Sequence, residues 1–187
     1  MRKACDADAL LRRFEAFYED CYQAISAYAY RRMPNAADDV PDVVAEVFAI
    51  AWRRIRELPD PPEDRLWLYG VARRVVLDHR RRAVRKSLLE SLLRSAASTG
   101  QPGEALGDRD LRVWAAVERL RPADREALRL VALDGLSHAE AAQVLGCSVN
   151  AVALRIHKAK ARLKAELAPS SDHHQASQSA CAASPEF

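Results

Sequence analysis

The sequence has few cysteines, no long apolar run and none of the common catalytic motifs. Its four cysteines are widely scattered and form neither a CxxC pair nor a Cys/His spacing that suits zinc, so we expect reduced thiols and no metal site. A phosphate loop, an HExxH motif and a nucleophile elbow are all absent, which makes an enzyme a distant alternative. The chain is therefore not predicted to be an enzyme, and no cofactor is expected.

No stretch is apolar and long enough to predict a membrane span, and no signal peptide is recognisable. Residues 1–11 carry charges throughout and lack an apolar centre followed by small residues. A composition with 49% hydrophobic and 29% charged residues is typical of a soluble globular protein. We therefore expect the chain in the cytoplasm.

The net charge of +3 conceals two strongly basic segments. Residues 53–86 contain eleven basic and five acidic side chains, and residues 155–164 contain five basic and no acidic ones. Residues 1–52 and 87–154 are both net acidic. Such segregation predicts two nucleic-acid contacts on one chain and leaves acidic surfaces for protein partners.

Residues 136–163 have the pattern of two short helices joined by a tight turn. Ser137 and Glu140 have the spacing of a capping box, Gly146 ends the first helix, and Ser148 can cap the second. The apolar positions of the second helix, predicted to point inward, are Val149, Val152, Ile156 and Leu163. An ordinary surface helix pair is the alternative, but the basic charge of the second helix favours a helix-turn-helix that enters the DNA major groove.

Three further helices are predicted in the first half of the chain. One covers about residues 10–33 before Pro34 stops it, and a second follows Asp39. Asp64 is predicted to cap a third helix, which runs into the arginine cluster near Arg82. The buried stripe of the second helix is predicted to comprise Val40, Val43, Val44, Val47, Phe48, Ala51 and Ile55.

These patterns predict an all-α chain with two small helical domains joined by a flexible linker, the C-terminal domain carrying the helix-turn-helix. The first domain is predicted to span residues 1–94 and the second residues 108–168. Residues 95–107, SAASTGQPGEALG, have linker composition. Residues 169–187 have too little apolar content to fold and are predicted to be a disordered tail.

Three segments follow one another in a specific order: DVVAEVFAIAWRR at 42–54, WLYGVARRVVLDHRRR at 67–82, and LRPADREALRLVALDGLSHAEAAQVLGCSVNAVALRIHKAKARL at 120–163. Together they resemble the extracytoplasmic-function class of bacterial sigma factors, in which the first two belong to region two and the third to region four. The resemblance implies a subunit that binds core RNA polymerase and directs promoter-specific transcription initiation. It also implies contact with promoter DNA, both duplex and opened strand, and restraint by an anti-sigma factor.

The resemblance and the side-chain chemistry together assign candidate contact residues. Polymerase contact is predicted at Asp42, Glu46 and Phe48. DNA contact is predicted at Asp60, Glu63, Asp64, Trp67, Arg73, Arg74, Arg80, Arg81, Arg82, Ser148, Asn150, Ala151, Arg155, Lys158 and Arg162. The family often has asparagine at the position of Arg74 and glutamine at that of Ala45, and these departures bear on promoter sequence.

Different chemistry is predicted at different contact residues. Arg155 is the best candidate for a base-edge contact, since a guanidinium can pair with guanine through two hydrogen bonds, and Asn150 could contact adenine. Lys158 is predicted to contact phosphate, which orients the helix without sequence preference. Trp67 can hold an extruded base, but its spacing favours a place in the core.

Two alternatives to the sigma-factor interpretation stay open at this stage. Asp42 and Glu46 could belong to a solvated acidic face instead of a docking surface. The whole chain could be an autonomous helix-turn-helix transcriptional regulator that binds duplex DNA without polymerase. Operator binding in the absence of polymerase would favour that function.

Overall fold

The computed structural model describes residues 2–93 and 108–168 of the chain. The residues described form α1 (Arg2–Arg32), a 3-10 helix (Pro34–Asp39), α2 (Val40–Arg53), α3 (Glu63–Leu93), α4 (Asp108–Glu118), α5 (Pro122–Ala132), α6 (His138–Leu145) and α7 (Val149–Leu167). The predicted all-α class is confirmed. The predicted linker at 95–107 and the predicted tail at 169–187 lie outside the described residues.

Two helix starts differ from those predicted. α1 begins at Arg2 instead of about residue 10, because the preceding residues include alanines, which favour helix. α3 begins at Glu63, so Asp64 is not its N-cap. The N–H of Glu63 donates to the carbonyl of Asp60 at 3.1 Å, and the carboxylate of Asp64 accepts from the N–H of the next residue at 2.7 Å.

The helices α1, α2 and α3, which we call the N-terminal segment, share an apolar core. The predicted stripe of α2 is buried, with Val43 and Val47 exposed by 1% or less. On α1, Tyr28 is buried edge-on against Tyr69 of α3, with ring centroids 5.4 Å apart. α3 continues as one helix through the arginine cluster, because its buried stripe at Leu68, Ala72 and Val76 precedes a run of good helix formers.

The last four helices, which we call the C-terminal segment, are arranged around α7. Ala127 and Leu130 of α5 are fully buried, as is Val152 of α7. Gly135 turns the chain between α5 and α6 with a φ of +72°, a backbone conformation that favours glycine. Leu136, directly before the N-cap of α6, is buried.

The two segments contact each other through a buried ionic network. The Arg32 guanidinium on α1 contacts Glu126 of α5 at 3.0 Å and Asp134 at 2.8 Å. The Tyr28 hydroxyl donates to Glu126 at 3.1 Å, and Arg31 also pairs with Asp134. Apolar residues of both segments form one continuous buried cluster. The predicted two-domain division gives no sign of this contact, since it describes the domains only as joined by a linker.

Because this network is buried, its charges need ion-pair partners within the protein. The side chains of Arg32 and Asp134 are exposed by 2% and 0%, so each charge depends on its partners instead of on water. Burial alone would lower the pKa of Arg32, but Tyr28, Glu126 and Asp134 outweigh it and raise that pKa. Burial likewise raises the pKa of Tyr28, which stays protonated and donates its hydrogen bond.

We expect Arg32→Ala to separate the two segments. Leaving a buried carboxylate without its partner costs about 3 to 5 kcal/mol, and separation relieves that cost by exposing Asp134 and Glu126 to water. Small-angle X-ray scattering should give a larger radius of gyration than for the wild type, with the helical circular dichroism unchanged. Arg12→Ala, at an exposed arginine of the same helix, is the matched control. Equal radii for all three proteins would contradict this role of Arg32.

A second prediction concerns the start of α6. Hydrogen bonds from the hydroxyl and the N–H of Ser137 lower the pKa of Glu140. Because the folded pKa is lowered, the Glu140 carboxylate stabilises the fold at neutral pH, and this contribution is lost as the pH falls through the folded pKa, below the ordinary value of about 4.3. Glu140→Gln should therefore lower the free energy of unfolding by about 0.3 to 1 kcal/mol at pH 7, and by much less at pH 3. The urea midpoint, measured at both pH values, reports this change. A difference independent of pH would contradict this.

Candidate nucleic-acid interface

The helix-turn-helix has the local geometry that the sequence predicts. The Ser137 hydroxyl accepts from the N–H of Glu140 at 3.2 Å, and the Glu140 carboxylate accepts from the N–H of Ser137 at 2.7 Å, which is a complete capping box. Gly146 ends α6 with a φ of +64°. The Ser148 hydroxyl then accepts from the N–H of Ala151 at 3.2 Å and caps α7. These bonds fix the direction in which α7 leaves the turn.

One face of α7 is buried and the opposite face is exposed to solvent. Val152, Ile156 and Ala159 form the buried face. The predicted inward position of Val149 is wrong, because its side chain is 47% exposed at the first turn, where the helix has not yet reached the core. The predicted DNA contacts on the outer side are exposed at Ser148, Asn150, Lys158 and Arg162, and half-buried at Ala151.

Arg155 is less exposed than the other predicted DNA-contacting basic residues of α7. Its side chain is half-buried and donates to the sulfur of Cys147 at 3.4 Å. It lines a cleft between the two segments, of about 320 Å³, together with Arg73 and Arg80 of α3. We call this space the arginine cleft. Two predicted DNA contacts from the first basic segment and one from the second are therefore brought together, a proximity that the sequence does not indicate.

The other α3 arginines that are predicted DNA contacts lie outside the arginine cleft. Arg74 is exposed and lines a second cleft, of about 360 Å³, with Trp67 and Gly146. Arg81 and Arg82 are exposed, and Arg81 contacts Asp78 one turn earlier at 3.2 Å. Trp67 is half-buried against the core, which agrees with the core placement that its spacing favours.

The acidic loop before α3 is held by an arginine that sequence patterns did not single out. Arg13 of α1 donates to the carbonyls of Leu58 and Pro59 at 2.8 and 3.1 Å, and to the carboxylate of Asp60 at 3.3 Å. Asp60 and Glu63 are exposed, and Asp64 is half-buried. Arg13 thus orients the loop whose acids are predicted DNA contacts.

The predicted polymerase contacts divide into two exposed acids and one core residue. Asp42 and Glu46 lie one turn apart on the exposed side of α2. Phe48, in contrast, is only 4% exposed, and its ring lies 4.6 Å from that of Tyr18 and 6.4 Å from that of Phe17. The predicted direct contact of Phe48 is corrected to a supporting place in the core.

Phe48 supports a group of partly exposed rings that sequence analysis did not single out. Tyr18, Tyr22 and Trp52 are 38%, 39% and 43% exposed, and Phe14 lies between them, 5.1 Å from Trp52. We call these four rings the aromatic face. Three of them, Phe14, Tyr18 and Tyr22, are spaced four residues apart on α1, which was a signal for the aromatic face, but the same spacing also predicts burial. Only the helix packing shows which rings stay uncovered.

Other kinds of site are not seen in the described part of the chain. Residues 2–93 and 108–168 contain no group of three or more His, Cys, Asp or Glu side chains placed to hold a metal ion. In the same ranges, each helix is too short or too polar to cross a bilayer. Burial raises the pKa of the Cys21 thiol to about 11, with smaller contributions from neighbouring charges, so this thiol is protonated at neutral pH.

Matches to known families include the first basic segment and all but the last residue of the second. Residues 17–86 match the family model described as Sigma-70 region 2, and residues 110–163 match Sigma-70, region 4. The first match includes the exposed acids of α2 and the arginines of α3. The second match includes the whole turn from α6 into α7.

Similar proteins agree with these matches. The RNA polymerase sigma factor CnrH of Cupriavidus metallidurans is 36% identical over 153 residues, covering 75% of this chain and 80% of that protein. The ECF RNA polymerase sigma factor SigC of Mycobacterium tuberculosis is 32% identical over 160 residues, covering 84% of this chain and 85% of that one. The sigma factor RpoE, crystallised with the anti-sigma factor NepR from Bartonella quintana, shares the fold with a TM-score of 0.64 at 23% identity, covering 82% and 96% of the two chains. The chain therefore belongs to the extracytoplasmic-function class of RNA polymerase sigma factors.

Proposed function

We propose that this protein directs promoter-specific initiation by docking α2 on core RNA polymerase and placing α7 in the duplex upstream of the start site. The observation that carries the proposal is the presence of both sigma regions on one chain, each with an exposed basic face. A sigma factor forms and breaks no covalent bonds, so its residues act by binding polymerase and DNA and by orienting them. Its partner polymerase is cytoplasmic, and we place the protein in the same compartment.

Docking on polymerase is assigned to the exposed side of α2. Its opposite side is the buried valine stripe, so Asp42 and Glu46 are the groups that a partner can reach. Paired carboxylates one turn apart suit a basic partner surface and favour rapid association. The aromatic face surrounds the ring of Phe48 and includes Trp52 of the same helix, so it offers partly exposed apolar area to a partner.

Duplex recognition is assigned to the outer side of α7. The left-handed C-cap at Gly146 and the N-cap at Ser148 set the turn between α6 and α7, and this turn positions a recognition helix. Asn150 and Arg155 are assigned to base edges, and Lys158 and Arg162 to phosphates. Because Arg155 lines the arginine cleft, its contact with DNA requires the C-terminal segment to move away from α3.

Contact with the opened strand is assigned to α3 and the loop before it. The exposed arginines Arg74, Arg81 and Arg82 can neutralise phosphates, and the loop at Asp60, held by Arg13, can shape a pocket for an extruded base. Trp67 contributes from its half-buried place beside Arg74.

An anti-sigma factor is the proposed restraining partner. The RpoE of Bartonella quintana, which shares this fold, was crystallised with such a factor. In this chain the exposed acids of α2 and the partly exposed rings of the aromatic face are available to a protein partner, and covering the acids would block polymerase.

Reversing one charge on α2 should test the docking assignment. Asp42→Lys is expected to weaken binding to core polymerase by about tenfold or more, because a like charge then faces the basic partner surface. Asp8→Lys, at an exposed acid of α1, should bind polymerase as the wild type does. Biolayer interferometry with purified core polymerase measures both. Equal affinities for the wild type and Asp42→Lys would remove α2 from the interface.

Truncating two residues of α7 should separate base contacts from phosphate contacts. Arg155→Ala is expected to cost about 1 to 3 kcal/mol at one position of the upstream element, whereas Lys158→Ala should weaken all sequences alike and reduce the salt dependence. Transcription with core polymerase on a genomic template library, followed by start-site mapping, identifies the promoter, and binding to its single-base variants gives the two profiles. A uniform loss for Arg155→Ala would make it a phosphate contact. Start sites unchanged by the wild-type protein would contradict the proposed function itself.

A further inference from the structure

The arginine cleft carries more positive charge than its surroundings neutralise. Six of its lining residues are arginines and only one, Glu126, is acidic. The arginines are Arg32, Arg73, Arg80, Arg125, Arg129 and Arg155. They come from α1, α3, α5 and α7, so both segments contribute to one concentrated basic cavity.

Only half of these arginines have carboxylate partners among the described residues. Arg32 pairs with Glu126 and Asp134, while Arg125 and Arg129 both pair with Glu118, Arg125 at 2.6 Å. In the part of the chain that the structure describes, Arg73, Arg80 and Arg155 form no ion pair. Six guanidinium groups against three carboxylates leave three positive charges uncompensated in this arrangement.

Two of the guanidinium groups also lack acceptors for buried donors. The Nε atoms of Arg73 and Arg129 are inaccessible to water and have no hydrogen-bond partner. Arg129 as a residue is only 3% exposed, and its burial lowers its pKa. A buried donor without an acceptor is costly, so each of these side chains would gain by turning its guanidinium toward an acceptor that enters the cleft.

The walls of the cleft define what can enter. Its volume of about 320 Å³ is at the lower end of the range for small-molecule sites, which begins at about 300 Å³. Val76, Leu77 and Leu145 supply apolar wall beside the arginines. The chemistry therefore favours a compact, multiply charged oxyanion, since guanidinium groups bind phosphate oxygens through paired hydrogen bonds.

We propose that the arginine cleft is a binding site for a polyphosphate chain, either inorganic or carried by a nucleotide. The anion bridges Arg73 and Arg80 of α3 to Arg155 of α7 and holds the two segments together. This consequence rests on the proposed function: bound anion occupies Arg155, which is assigned to a base edge, and also Arg73 and Arg80, which the sequence predicts as DNA contacts. The anion therefore favours a form of the sigma factor that cannot engage a promoter.

Calorimetric titration of the full chain with sodium tripolyphosphate tests the site without polymerase or DNA. We expect one saturable site per chain, weakened about ten- to hundredfold by Arg155→Gln and by Arg73→Gln, because each variant removes one charge-assisted anchor. Arg85→Gln, at an exposed arginine of α3 outside the arginine cleft, is the matched control and should retain wild-type affinity. Equal losses for Arg85→Gln and Arg155→Gln, or no saturable binding, would overturn the proposal.

A parallel titration with GTP distinguishes the two sources of the same chemistry. Tighter binding of GTP than of tripolyphosphate assigns the apolar wall to a base or ribose, and equal binding assigns the site to the phosphate chain alone. Scattering measured with saturating tripolyphosphate should give a radius of gyration that is smaller than, or equal to, that of the free chain, and an expanded radius would contradict the bridge. Because these measurements involve no transcription, their failure would leave the proposed function intact.

Discussion

The buried pairing of Arg32 with Asp134 and Glu126 is the interaction on which the arrangement of the two segments depends. Charges this deeply buried are stable only when all of their partners are present, so the network either holds both segments in one relative position or opens completely. Tyr28 adds its hydroxyl to Glu126 and its ring beneath Arg32, 3.5 Å from the guanidinium carbon. A short set of polar contacts thus acts together with the continuous apolar cluster to hold the two segments in place.

The contact between the two segments occupies side chains that a sigma factor needs for DNA. In the proposed function, reading duplex DNA uses Arg155 of α7, which shares the arginine cleft with Arg73 and Arg80, two predicted DNA contacts of α3. The apolar contact and the buried network favour closure, while three uncompensated positive charges oppose it. Closure and DNA engagement therefore compete for the same side chains, and any anion, acidic protein surface or promoter that neutralises those charges shifts the balance between them.

How far the sequence predicts the molecule varies with the range of the interaction. The capping box at Ser137 and Glu140, the glycine turn at Gly146 and the cap at Ser148 are contacts between residues at most four apart, and all were predicted. The start of α3 was misplaced by two residues because the preceding prolines allow more than one first turn. Val149 was misassigned because periodicity indicates a helical face but not where the neighbouring helix covers it. Periodicity placed Phe48 correctly in the buried stripe of α2, and its predicted polymerase contact came from the family resemblance instead.

The sequence by itself determined the family, the all-α class and the two basic segments, because caps, apolar periodicity and charge are properties of neighbouring residues along the chain. Only the tertiary structure decided that Arg32 meets Asp134 across more than a hundred residues, that Arg13 holds the loop before α3, and that arginines of α3 and α7 share one cleft. Such pairings depend on how whole helices are oriented. No local pattern encodes that orientation, since it results from the sum of many apolar contacts in the common core.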